Sequence, residues 1–151
     1  MQDMLIQQSD QGGPMDLVIE GQDFKSADGL ETTIAVLLFT DARADDSEVT
    51  GAEKRRGWVG NILRSVELGG MLWLASQVRN TQHMQNFIKR WAEDSLKPLI
   101  SDGFATGVLV AVIQDGVRGI KLNIEVTVKN GIVKKYPLWL DTNLGNLTNG
   151  N

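Results

Sequence analysis

The sequence holds a single histidine, His83, and no cysteine. That leaves a narrow range of chemistry. A cysteine nucleophile, a disulfide and a thiolate zinc site are excluded outright. A Ser-His-Asp hydrolase would have to draw on His83, yet no serine stands in a Gly-x-Ser-x-Gly frame. Zinc sites recruit several histidines or cysteines, so one histidine in the first turn of a helical stretch reads as an exposed or capping side chain. Asp41, Asp45, Asp46 and Glu48 cluster, but Asp-Ala-Arg-Ala-Asp-Asp-Ser-Glu lacks the glycine and the ligand spacing of a calcium hand loop. The better reading is a solvated acidic stretch. None of the 19 acidic residues sits in an apolar run of the kind that keeps a glycosidase acid protonated. The 16 glycines form neither a Gly-x-x-x-x-Gly-Lys-Ser/Thr nor a Gly-x-Gly-x-x-Gly phosphate loop. No catalytic residue, metal ligand or cofactor-binding residue is therefore expected.

The one basic run is Lys54-Arg55-Arg56, followed by Gly57 and Trp58. It reads equally well as a solvated turn and as a contact patch, because arginine and tryptophan are enriched where interfaces concentrate their energy. A nucleic-acid module built on this run is disfavoured. The chain carries a net charge of −4 and has a pI near 4.9, whereas phosphate-backbone binders carry a basic surplus. Trp91 falls on a helical stripe and is expected in the core. Trp58, Trp73 and Trp139 lie near loops or strand ends, where an aromatic ring can face a partner.

The elements that must position these groups follow from periodicity and punctuation. With 151 residues the chain is long enough to bury about 70% of its unfolded surface around one core. Residues 1–14 are expected to form an N-terminal arm, 15–140 a single domain and 141–151 a mobile polar tail. Residues 15–21 read as a short strand and 23–28 as polar loop, with Asp28 placed to cap the next helix. Apolar spacing predicts a helix over 30–39. No period survives from 40 to 60, and a loop of that length is usually functional or disordered. Residues 71–78 form a short helical segment. The longest helix runs over 81–101, with Met84, Phe87, Ile88, Trp91, Leu96 and Leu99 on one stripe. Asn80 or Thr81 caps its start, Pro98 should kink its last turn or open a new one, and Gly103 stops it.

The last third changes period. Residues 107–113 are apolar on both faces, as in a central strand. Asp115 and Gly116 mark a turn. Ile120, Leu122, Ile124, Val126 and Val128 alternate with polar residues, so one face of that strand is buried and the other wet. Asn130-Gly131 is a strong hairpin signal, and Pro137 assigns the strand over 132–140 to an edge. The expected class is α+β, with one long amphipathic helix packed on an antiparallel sheet that ends in a C-terminal three-stranded meander. The longest apolar run, 107–113, is far short of the ~20 residues of a spanning helix. The N-terminus lacks the basic start and apolar core of a secretory signal, so synthesis and folding in a cytoplasm are expected.

Read in order, Leu-Glu-Thr-Thr-Ile-Ala-Val-Leu-Leu-Phe-Thr-Asp-Ala-Arg-Ala (30–44), Lys-Arg-Arg-Gly-Trp (54–58), Leu-Trp-Leu (72–74) and Leu-Lys-Pro-Leu-Ile-Ser-Asp-Gly (96–103) resemble the Mu-like phage gene product 46 family. The resemblance spans roughly residues 16–140. The family usually carries a second tryptophan where this chain has Val59, and a serine before Leu-Trp-Leu where it has Gly70 and Met71. The resemblance implies a baseplate component of a contractile tail, similar to the small wedge subunits that are labelled lysozyme-like. No acid–base pair in this chain supports that label as an activity. In the wedge relatives a glutamate-arginine turn occupies the corresponding loop. By that analogy Thr40, Asp41, Arg43, Ala44, Arg55, Arg56, Gly57 and Trp58 become candidate interface residues, with Trp73 beside them. The implied partners are other baseplate and tail proteins, with self-association left open and no membrane or nucleic acid. The implied location is the virion tail, after assembly in the host cytoplasm.

Overall fold

The alternation over residues 120–128 builds the centre of the molecule. In a computed structural model that describes residues 3–8, 15–27, 29–45, 47, 57–63, 69–77, 82–115 and 119–141, strand β8 (Gly119–Val128) lies between β7 (Ala105–Asp115) and β9 (Val133–Asp141). Both pairings are antiparallel, with Ile124 opposite Val110 on one side and Tyr136 on the other. Ile120, Leu122, Ile124 and Val126 are fully buried. The turn between β8 and β9 is the expected one: Asn130 Oδ1 accepts from the Ile132 N–H at 3.1 Å, and the Gly131 N–H donates to the Val128 carbonyl at 2.9 Å. Pro137 lies on the edge strand, as its missing N–H requires.

Strand β7 corrects an expectation. Its apolar run predicts a central strand, but it occupies the other edge. Val110 is buried towards the core, while Leu109 and Ile113 are 67% and 46% exposed on the opposite face. An unbroken apolar run shows that both faces tolerate burial. It does not show that a second layer exists to cover the outer one.

Helix α2 (Gln82–Ser101) supplies the covering layer on the inner face. Ile88, Ala92, Ser95, Leu96 and Leu99 recur at helical spacing and are buried, in one cluster with the inward row of β8 apart from Ser95. Phe87 departs from the expected stripe. It lies at its margin, 36% exposed, stacked on Trp91 at 5.7 Å. The helix continues through Pro98 to Ser101. It ends as the Gly103 signal predicts, with Phe104 N–H bonded to the Leu99 carbonyl at 2.9 Å and Gly103 N–H to that of Ile100 at 3.0 Å. The expected caps Asn80 and Thr81 lie outside the described residues, as do the turn after Asp115 and the 142–151 tail.

Helix α1 (Leu30–Phe39) has the predicted bounds and adds Ile34, Leu37 and Leu38 to the same core. Its N-cap is Gly29, which has no side chain to accept a hydrogen bond, and Asp28 lies outside the described residues. The stretch expected as an arm contributes two strands, β1 (Asp3–Met4) and β2 (Ile6–Gln8). Strand β2 pairs with β3 (Met15–Leu17), and β1 pairs with β6 (Ser26–Ala27). Strands β4 (Ile19–Glu20) and β5 (Asp23–Phe24) form a hairpin beyond them. Residues 23–24 and 26–27, within the stretch expected as loop, are recruited into strands, where Leu5 offers main-chain partners on both sides: its N–H donates to Lys25 at 2.8 Å and its carbonyl accepts from Val18 at 3.0 Å.

Among the described residues, the buried polar side chains Gln8, Thr32 and Ser95 each bond main chain, as burial requires. The Gln8 amide donates to the Trp139 carbonyl at 2.8 Å and accepts from the Trp139 N–H at 2.6 Å. The Thr32 hydroxyl donates to the Met4 carbonyl at 2.9 Å. Ser95 Oγ donates to the Trp91 carbonyl at 2.7 Å. The first two hold the N-terminal strands between α1 and the edge of β9.

Candidate functional site

At Thr40 the chain leaves α1 for extended backbone, with its N–H still bonded to the Val36 carbonyl. The next residues are fixed from three directions. Asp41 forms a parallel bridge with Gly70, in which Gly70 N–H donates to the Thr40 carbonyl at 2.9 Å and Ala42 N–H to that of Gly70 at 3.0 Å. The Trp58 N–H donates to the Asp41 carbonyl at 2.9 Å. The Trp73 indole Nε1–H donates to the Ala42 carbonyl at 3.0 Å. Gly57 lies against Arg43, so close that a Cβ on Gly57 would come within 3.0 Å of the Arg43 Cβ.

Two glycines make this approach possible. Gly69 has φ +119°, and a Cβ there would stand 2.6 Å from the Thr40 carbonyl oxygen. A Cβ on Gly70 would overlap Ser95 Oγ. Helix α2, the 69–70 turn and the 40–44 segment thus meet with no room for a side chain between them.

The 3-10 turn Leu72–Gln77 secures the arrangement. Residues three apart eclipse in such a turn, so Leu72 and Ala75 face the main core while Trp73 and Leu74 form a second cluster with Ala44. Trp91 packs against both clusters. A short helix is expected over 71–78; residues 72–77 form a 3-10 turn instead, with Leu72 and Ala75 in one core and Trp73 and Leu74 in the other.

Of the candidate interface residues, Ala44 and Trp73 are interior, at 2% and 7% exposure. They hold the segment in place from beneath. Thr40 and Asp41 are half-buried, and Arg43, Gly57 and Trp58 are exposed. Arg55 and Arg56 lie outside the described residues, as do Asp46 and Glu48. Two residues absent from the expected set extend the exposed part. Val59 and Ile62, in the 3-10 turn Val59–Leu63, are 75% and 81% exposed. Val59 falls in the 40–60 stretch without period and Ile62 opens the apolar stretch after it, so apolar character was their only sequence signal.

The remaining candidates for chemistry are dispersed. Among the described residues no three histidine or acidic side chains gather as a metal site. His83 is exposed, edge-on to Phe87 at 4.8 Å. Trp139 belongs to the sheet: its Nε1–H donates to Asp115 Oδ2 at 2.9 Å, and Lys121 Nζ lies 4.8 Å from its ring centroid. No helix among the described residues is long and apolar enough to cross a membrane.

The site is therefore a built surface element, with an interior half that fixes the backbone and an exposed half of arginine, tryptophan and aliphatic groups. Its residues 40–44, 57–58 and 73–74 fall in segments that carry the family resemblance. The model of the family described as phage protein GP46 matches residues 30–133. The chain is also 32% identical over 126 residues to the baseplate protein gp46 of Escherichia phage Mu, covering 82% of this chain and 87% of that protein. It is 28% identical over 120 residues to the Mu-like prophage FluMu protein gp46 of Haemophilus influenzae, covering 79% of this chain and 83% of that protein. The chain belongs to the GP46 family of phage proteins.

Proposed function

We propose that the chain is a structural subunit of the baseplate of a contractile phage tail, of the wedge type, and acts by protein–protein contact rather than catalysis. The observation that carries this reading is the convergence of 40–44 with 57–58, through the Trp58–Asp41 bond, in a relative of a protein named as baseplate protein. Shared catalytic residues would be expected to converge on a cavity. Here segments 40–44 and 57–58 meet at a surface that exposes Arg43 and Trp58, with exposed Val59 and Ile62 following in the chain. Such a surface suits an interface, where aromatic and arginine anchors carry most of the energy. The partners are other baseplate and tail proteins, the location is the virion tail, and assembly takes place in the host cytoplasm. Loop 39–58 and the β9 edge bearing Lys134 and Lys135 supply the contacts.

Co-expression with the other tail proteins of the same phage or prophage tests this. Arg55→Ala combined with Arg56→Ala is expected to abolish tail assembly while the isolated chain keeps its far-ultraviolet circular dichroism. Normal tails from that double variant would contradict the proposed contact surface.

A further inference from the structure

The two edges of the C-terminal sheet are built differently. On β9, Pro137 lacks an N–H, Lys134 and Lys135 carry charge, and the Gln8 side chain occupies the Trp139 main-chain groups. Each of these hinders the addition of a further strand. Strand β7 has none of them. Residues 105–114 hold no charge and no proline, and among the described residues no strand pairs with the outer edge of β7. The direction of its main-chain groups follows from β8. The Val128 N–H donates to the Ile132 carbonyl, so even-numbered main-chain groups of β8 serve β9 and odd-numbered ones serve β7. With Leu109 opposite Glu125, the N–H and C=O groups of Val108, Val110, Val112 and Gln114 point away from the sheet.

We infer that β7 pairs antiparallel with β7 of a second copy of this chain, about a two-fold axis at Ala111, so that the two sheets become one. Such a contact requires a surface complementary to itself, and the register of β7 supplies it. The strand is irregular between Ala105 and Gly107, so its regular part runs from Gly107 to Asp115 with Ala111 at the midpoint. Pairing about that midpoint sets Val110 against the partner's Val112 and Val108 against the partner's Gln114. Those residues carry the outward-pointing groups, which gives about eight main-chain hydrogen bonds. On the outer face, exposed Leu109 meets the partner's exposed Ile113, and the symmetry repeats the pair. Asp115 falls opposite the partner's Gly107, which has no side chain, and its carboxylate accepts from the Trp139 indole within its own chain. An axis at Val110 would instead set Leu109 against alanine and Ile113 against glycine. This pairing is independent of the baseplate reading.

The test measures the mass of the purified full chain by sedimentation equilibrium across the micromolar range. The expected result is a dimer, twice 16.6 kDa. Leu109→Lys/Ile113→Lys, at positions exposed in the single chain, sets lysine against lysine across the pair. It is expected to weaken the dimer by about tenfold or more while circular dichroism stays unchanged. Register is read by oxidation, because the chain has no cysteine of its own. Ala111→Cys places two thiols at a non-hydrogen-bonded pair with Cα atoms about 4.5 Å apart, within disulfide reach, and is expected to give a covalent dimer. The two copies of Leu109→Cys stand roughly 13 Å apart along the strands and are expected not to link. A monomer across the whole range, unchanged dimer affinity in the folded lysine variant, or no covalent dimer from Ala111→Cys would each overturn the inference. With photoreactive benzoyl-phenylalanine at position 109 and the other tail proteins co-expressed, the expected adduct joins two copies of the chain. Adducts with a different protein alone would show that another strand takes this edge, and would overturn the inference as well.

Discussion

The main-chain N–H of Trp58 donates to the carbonyl of Asp41 at 2.9 Å. This one bond joins two of the four segments that carry the family resemblance, 30–44 and 54–58, across a stretch of chain in which the sequence shows no periodicity. It turns Trp58 from a loop residue into a side chain displayed at a fixed place. Because the bond is main chain to main chain, its strength rests on what holds residues 40–44 from below, and that is where substitution should act.

Trp73 is the main support. Trp73→Phe removes the Nε1–H donor to the Ala42 carbonyl and keeps most of the ring, which should cost about 1 kcal/mol. Trp73→Ala also empties the cluster shared with Ala44 and Leu74, for a loss of about 3–5 kcal/mol. Urea unfolding followed by circular dichroism measures both. Equal losses for the two variants would show that the ring carries no packing energy there.

Gly70 and Ser95 should behave as a coupled pair. Gly70→Ala puts a methyl group where Ser95 Oγ stands, an overpacking expected to cost about 1–3 kcal/mol. Ser95→Ala in the same chain removes the oxygen and should recover more than half of that loss. A double-mutant cycle gives the coupling directly, and strictly additive effects would contradict the contact.

Gln8 acts as a one-residue strand on the β9 edge. Gln8→Ala deletes both bonds to Trp139 and should cost roughly 1–3 kcal/mol. The local sign is faster amide hydrogen exchange at Trp139, measured by nuclear magnetic resonance, while amides of β8 between its two neighbours keep their protection. Unchanged exchange at Trp139 would mean that the Gln8 bond is not what shields it.

Ile62 separates stability from contact. At 81% exposure its replacement by serine should leave the isolated chain's stability within about 0.5 kcal/mol. If Val59 and Ile62 belong to the contact surface with Trp58, the same substitution should lower the yield of complete tails counted by electron microscopy. Wild-type yield from Ile62→Ser would remove this residue from the surface.

Much of the fold was legible because periodicity reports burial. The alternation of Ile120 to Val128, the stripe through Ile88, Leu96 and Leu99, and the Asn130-Gly131 turn each specify one local structure. Strand β7 was misplaced because an apolar run states what burial is tolerated and says nothing about which layers are present. Strands β1, β2, β5 and β6 were missed because two- and three-residue strands are too short to display alternation. They exist through partners distant in sequence, such as Leu5 with Lys25. The chemical content of the 40–58 stretch was legible as residue types. Its internal geometry was not, since it depends on Gly69, Gly70 and Trp73, which act from another part of the chain.

The central claim, a structural role in the tail baseplate, is tested most directly by deleting the gene from its phage or prophage and counting complete contractile tails by electron microscopy. The account predicts that complete tails disappear and return when the wild-type chain is supplied from a plasmid. Complete, contractile tails in the deletion strain would contradict it.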